Sequence, residues 1–259
     1  MQRSAVRPSP IFLALLAVTV GGACLTLIDD VTAWHAGIFI LVAGGWAVSL
    51  CLHEFGHAVV AYRGGDREIY FKGYLNLDIR RYTDPVLSLV LPLVFLAIGG
   101  IPLPGGAVWI NRYALRSRAV TCRVSLAGPF ANLVVGILLT IAVTAFLPPV
   151  SNAGPLTSGQ AVACGLSFLA MLQFAAFVLN ILPVPGLDGW GAIEPYLSRE
   201  AQEFGAKARM WAPLILFALL FAVPGVNELF WRPITALFEA VGGDSWGAAW
   251  GRVLFMFWK

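Results

Sequence analysis

Charge is what this chain has least of: Asp, Glu, Lys and Arg make up 12% of its 259 residues, about half the share of an ordinary soluble domain. That excludes a solvated globular fold. With 59% hydrophobic residues and a mean hydropathy of +0.79, it indicates an all-α integral membrane protein set in a lipid bilayer. No basic run accompanies the net charge of +3, so a nucleic-acid partner is excluded. Cysteine is sparse too. Cys24, Cys51, Cys122 and Cys164 are far apart with no CxxC pair, which leaves no disulfide framework, and all four read as small packing residues. Repeats, low-complexity linkers and an extra soluble domain are lacking. The chain reads as one polytopic domain, 1–259, with a core of about 36–190 and an extra span and Trp-rich tail over 191–259.

Five segments read as long and apolar enough to cross a bilayer core, which takes ~20 residues: Ile11–Ile28, Ala36–Tyr62, Val120–Leu147, Gln160–Leu182 and Trp211–Trp231. Pro224, Asn227 and Glu228 interrupt the last. Ile11–Ile28 follows Arg3 and Arg7 as a signal peptide would, but it is longer than a cleaved apolar core and reads as a retained span. Gly21-Gly22-Ala23 keeps cleavage as the alternative. Fourteen of the 17 Lys and Arg residues fall in four groups: Arg3 and Arg7; Arg63 to Arg81; Arg112 to Arg123; Arg199 to Arg209. Asp29–His35 and Pro148–Ser158 carry none. The positive-inside rule therefore places the amino terminus and the three basic loops in the cytoplasm of a multi-pass, bacterial-type plasma-membrane protein.

Val86–Leu103 is apolar but broken by Pro92 and Gly99-Gly100, with basic segments on both sides. A re-entrant hairpin keeps every loop on its side; six spans with inverted loops is the alternative. Leu75, Leu77 and Ile79 alternate with Asn76, Asp78 and Arg80, predicting a short cytoplasmic β-strand, paired across Gly73 with Ile69–Lys72. A second short strand is expected over Gly105–Ile110. In the tail, Trp246, Trp250, Val253 and Phe257 share one face of an interfacial helix.

Inside the apolar second segment stands His53-Glu54-Phe55-Gly56-His57. At ~100° per residue the two histidines lie ~40° apart, one turn along the same helix face. Two imidazoles so placed can share one Zn2+, with Glu54 beside it as base. Three ionisable groups at membrane depth need a functional reason. A catalytic zinc usually takes three protein ligands and a water. His35 is many turns away, and Glu194 and Glu200 lie farther into a basic loop. Asp188 is the best third donor, where Pro183, Pro185 and Gly186 break the helix and free the backbone to aim a carboxylate inward. A plain turn residue is the competing reading of Asp188. Gly128-Pro129 and Asn132 sit at the same depth, and interhelical packing is as good an account of them.

These elements together resemble the site-2 protease family of intramembrane zinc metalloproteases. The family pattern is a membrane-embedded HExxH helix, a G-P-x-x-N helix and a helix ending in N-x-x-P…L-D-G, matched here by His53–His57, Gly128–Asn132 and Asn180–Gly189. The resemblance implies zinc ligands His53, His57 and Asp188, with Glu54 as catalytic acid/base. It implies Asn180 as a catalytic residue that holds the substrate or the developing oxyanion. Asn132, Gly105, Gly106 and Val108 are expected at the substrate, which would pair with the Gly105–Ile110 edge in extended form. Expected partners are single-span, membrane-anchored proteins; resembling bacterial proteins process anti-sigma factors or signal-peptide remnants. This is a compact form, with no room for a PDZ-like insert or nucleotide-binding module, and it departs from the family in having Trp190 after Asp188-Gly189. The rival functions are a membrane metalloprotease with a Glu third ligand cutting outside the bilayer, a metal or proton transporter, and a catalytically dead scaffold.

Overall fold

The computed structural model describes residues 6–82, 108–150 and 154–259. Every regular element among them is helical: α1 (Pro10–Leu25), α2 (Val31–Gly64), α3 (Glu68–Phe71), α4 (Arg118–Phe146), α5 (Ser158–Ile181), α6 (Asp188–Ile193), α7 (Arg199–Ala208), α8 (Ala212–Ala222), α9 (Pro224–Ala240) and α10 (Ser245–Phe255). Single 3-10 turns join some of them. Helix starts follow capping chemistry. Ser9, Asp30, Ser117 and Thr157 each accept a first-turn backbone N–H, and Thr157 with Gln160 forms a reciprocal capping box. Ser9 also donates to the Leu77 carbonyl at 3.1 Å, fastening the start of α1 to the loop beyond α2.

α2 is the spine. Its 34 residues reach about 50 Å, more than the ~30 Å bilayer core, and α1, α4, α5 and α10 all pack along it. α5 is apolar on all sides, as befits a helix enclosed by others, and Phe168, Leu172, Phe174 and Leu179 are buried. α10 lies on α5 and α2, burying Ala248, Gly251, Leu254 and Phe255. Trp246, Trp250, Val253 and Phe257 face outward, as their spacing predicts.

Three helices, α2, α4 and α5, are long and apolar enough to cross a membrane, and α7 with α8, bent by 64°, makes a fourth if counted as one broken span. This differs from five straight spans in two places. Ile11–Ile28 yields a helix of only 16 residues, because the chain turns at Thr26 and Asp30 already caps α2. Trp211–Trp231 breaks after Ala222: Val223 is extended (φ −116°, ψ 103°), and Pro224, with no N–H to give, opens α9 instead of continuing α8.

The expected cytoplasmic hairpin is also corrected. Glu68–Phe71 is one helical turn, and Tyr74–Asn76 and Ile79–Arg81 are 3-10 turns. Gly73 (φ +71°) and Leu77 (φ +50°) adopt left-handed backbone, which cannot sit in an extended strand. Leu75, Leu77 and Ile79 still point into the core, so alternation of burial survives while the strand does not. Asp78 stabilises this turn by receiving Arg80 through Nε at 3.0 Å and Nη2 at 2.8 Å. Those side-chain bonds hold its carboxyl below the usual range. Of the second expected strand, Val108–Ile110 form none. Gly105, Gly106 and the run Val86–Leu103 lie outside the described residues.

Candidate metal centre

One face of α2 presents His53 and His57, and both imidazoles are buried. Their Nε2 atoms lie 3.1 Å apart. The Asp188 carboxylate closes the triangle, with Oδ2 at 3.2 Å from His53 Nε2 and 3.4 Å from His57 Nε2. Asp188 reaches them because α5 ends at Ile181 and Gly186 turns the chain at φ +98°, so α6 begins with its first residue against α2. Among the described residues these three form a group whose donor atoms could hold a metal ion. His35 is elsewhere, stacked on Phe257 at 5.5 Å. Glu194 is engaged by Arg112, and Glu200 is exposed on α7. The rival third ligands are therefore left out of the group.

The outer nitrogens fix which face of each ring is free. His57 Nδ1 donates to the Val124 carbonyl at 2.7 Å, and His53 Nδ1 lies 2.5 Å from Asn132 Oδ1. Both partners are oxygens that accept, so each Nδ1 carries the proton and each Nε2 keeps its lone pair. Two lone pairs and a carboxylate facing one another at 3.1–3.4 Å repel unless a cation lies between them. Tetrahedral donors at ~2.0–2.2 Å from an ion stand ~3.3 Å from each other, which matches the three edges. The donor set fits a small divalent cation.

α4 supplies the floor. Gly128 faces the rings so closely that a Cβ there would lie 2.2 Å from His57 Nε2 and 2.5 Å from His53 Nε2. The space a methyl would fill is thus within bonding distance of both nitrogens. Pro129 leaves the Ser125 carbonyl without its helical donor, and in the same loosened turn the neighbouring Val124 carbonyl is available to His57. Asn132 borders the cavity beside the rings, with both ends of its amide engaged. Its oxygen meets His53, and its Nδ2 donates to Gln173 Oε1 of α5 at 2.9 Å. Replacing Asn132 with alanine is expected to weaken metal affinity ~10–100-fold by freeing the His53 ring, measured by competition with a chromophoric chelator.

Glu54, also buried, stands beside the donors and accepts the Val108 backbone N–H at 3.0 Å. Both line a cavity of ≈ 800 Å³ that also takes in Trp109, Ile110, Asn180 and Asp188. Asn180 uses one amide hydrogen on the Ala176 carbonyl at 3.0 Å. The Val108 segment is strapped down by Asn111 N–H to Asp66 at 2.8 Å and by Lys72 over the Trp109 ring at 3.7 Å. Sequence reasoning missed Gln173, although a buried amide in an apolar span, seven residues before Asn180 on the same face, was a usable signal. It also missed the Val124 carbonyl, for which side-chain patterns carry no signal.

The comparisons agree with this geometry. The chain is 45% identical over 261 residues to a Mycobacterium tuberculosis protein named "Putative zinc metalloprotease Rip2", covering 100% of this chain and 97% of that protein. It is 44% identical over 260 residues to the Mycolicibacterium smegmatis protein of the same name, covering 99% and 96%. To the Bacillus subtilis protein "Putative zinc metalloprotease YwhC" it is 29% identical over 193 residues, covering 73% and 83%. No protein-family profile and no solved structure matches the chain. Likeness at this level from end to end settles the kinship: the chain belongs to the site-2 protease family, together with the Rip2 metalloproteases.

Proposed function

We propose that this chain is a zinc-dependent intramembrane endopeptidase that hydrolyses peptide bonds of membrane-anchored proteins. The observation that carries the proposal is the triangle of His53, His57 and Asp188 edges, 3.1–3.4 Å, built on helices long and apolar enough to cross a bilayer. Zn2+ held by these three donors supplies Lewis acidity to a water and to the scissile carbonyl. Glu54 takes the water's proton and delivers it to the leaving amine. Its Oε2 stays anchored on Val108 N–H, which leaves the other oxygen for proton transfer. Asn180 keeps its second amide hydrogen for the carbonyl oxygen as negative charge develops there.

A peptide bond within a helix is shielded by its own hydrogen bonds, so the substrate must enter extended. Trp109 and Ile110 make no backbone hydrogen bond among the described residues, and their segment borders the cavity. Strand addition along it would satisfy an unwound substrate. Gly105 and Gly106 extend this proposed edge. Anti-sigma factors and signal-peptide remnants fit the substrate class, and a cytoplasm-facing site in a multi-pass plasma-membrane protein fits the charge placement.

The test uses the purified full chain in lipid vesicles with a panel of single-span substrates. One zinc per chain is expected, together with cleavage that stops when 1,10-phenanthroline strips the metal and returns when zinc is restored. Cleavage that persists in metal-free protein would overturn the proposal, as would wild-type zinc content in Asp188→Asn.

A further inference from the structure

Gln173 lies in α5, the most enclosed of the three long apolar helices, and its side chain is fully buried. Its Oε1 accepts from Asn132 Nδ2 at 2.9 Å, and its Nε2 has no partner among the described residues. Gly136, one turn beyond Asn132 on α4, makes room for it: a Cβ there would lie 3.2 Å from the Gln173 Cβ and 3.0 Å from the Phe174 ring. An amide that serves only to join two apolar helices is expected to use both of its ends, because a buried donor left unpaired is unfavourable. Here half of the amide goes unused, so packing does not account for the residue. What its other half meets is the side chain that holds His53.

Asn132 bonds His53 at one end of its amide and Gln173 at the other. The two ends of such an amide have nearly the same shape, so what they meet decides which way round it lies. With the oxygen toward His53, the ring carries its proton on Nδ1 and keeps a lone pair on Nε2 for the ion. With the NH2 toward His53, Nδ1 must accept, and the proton moves to Nε2, where the ion belongs. His53 alone permits either arrangement. The contact on α5 does not: an oxygen 2.9 Å from Asn132 Nδ2 admits only the first. We propose that Gln173 is a positioning residue of the metal centre, acting through Asn132 to hold the His53 ring in the form that binds zinc. The proposal rests on the reading of His53 as a zinc ligand.

Titrating the purified full-length protein with Zn2+ against a chromophoric chelator tests this. Gln173→Met keeps the length and the apolar fit but removes the acceptor, and should weaken zinc affinity ~10-fold. With Co2+ in place of Zn2+, the visible absorption should shift as well, because the ring is no longer held in one orientation. Gln173→Glu, whose end presents an oxygen whichever way it turns, should bring both readings back to near wild type. In Asn132→Ala protein, Gln173→Met should lower affinity no further, since the link it acts through is gone. Circular dichroism of the metal-free protein checks the fold, and Gln173→Leu takes the place of a Gln173→Met protein that loses helix. Wild-type affinity and an unshifted Co2+ spectrum in the folded variant would overturn the proposal. So would full additivity with Asn132→Ala, or a folded Gln173→Glu protein as weak as Gln173→Met. A wild-type chain that takes up no zinc would sink the metal centre and this proposal with it. Cleavage enters none of these readings, so a failure of the protease reading alone leaves them standing.

Discussion

Gly128→Ala is expected to empty the metal site while leaving the helical fold intact. The added carbon would stand 2.2 Å from His57 Nε2, 2.5 Å from His53 Nε2 and 2.7 Å from His53 Cδ2. A zinc–nitrogen bond is ~2.0–2.1 Å, so the methyl and the ion compete for one position. Retreat is blocked on both sides. α2 and α4 meet at Gly56, where even a Cβ would lie 2.7 Å from the Ala127 carbonyl. The rings are tied to α4 by the Val124 and Asn132 hydrogen bonds. An aliphatic carbon in ordinary contact sits ~3.5–4.0 Å from its neighbours, so a ring must swing out by about an ångström and lose its partner. Zinc below about a tenth per chain and cleavage reduced by ~10³-fold or more are expected, since both the Lewis acid and its alignment go. Gly21→Ala, with nothing within 4 Å of its added carbon, should keep full zinc and full rate. A Gly128→Ala protein carrying one zinc would refute this account of the floor.

The centre was legible because its chemistry forces rare residues into an unlikely setting. Two imidazoles at helical spacing and a carboxylate after a broken helix stand out in apolar segments, and the structure brings His53, His57 and Asp188 together. Hydrophobic runs likewise marked α2, α4 and α5 within a few residues. What failed were inferences from burial pattern to backbone shape. Leu75, Leu77 and Ile79 alternate inward through 3-10 turns as well as they would in a strand, so period two alone does not identify one. Pro224 was noted as an interruption of Trp211–Trp231, but a proline can begin a helix as readily as end one. The role of Asn132 turned on Gln173, 41 residues later, and pairings across helices leave no local trace. The ring nitrogens depend on the carbonyl of Val124, a group every residue carries.

On the proposed mechanism the residues that hold the metal are distinct from the residue that moves the proton, and Glu54→Gln tests that division directly. The amide has nearly the shape of the carboxylate, and its oxygen can still receive the Val108 N–H now bonded at 3.0 Å. None of the three donors is touched, so zinc content should stay at the wild-type level. What disappears is a group able to accept the water's proton, since an amide is not protonated near neutral pH. Positioned acid–base groups contribute ~10²–10⁴ in rate, so kcat should fall by about 10³-fold, or ~4 kcal/mol. KM should change little, because the proposed substrate contacts along Val108–Ile110 do not use this carboxylate's charge. Glu54→Asp keeps the charge but falls one methylene short of both Val108 and the water, and should recover only part of the rate. Cleavage within ~10-fold of wild type in Glu54→Gln would transfer the base role to another group. Simultaneous loss of zinc would show that Glu54 holds the site together rather than serving its chemistry.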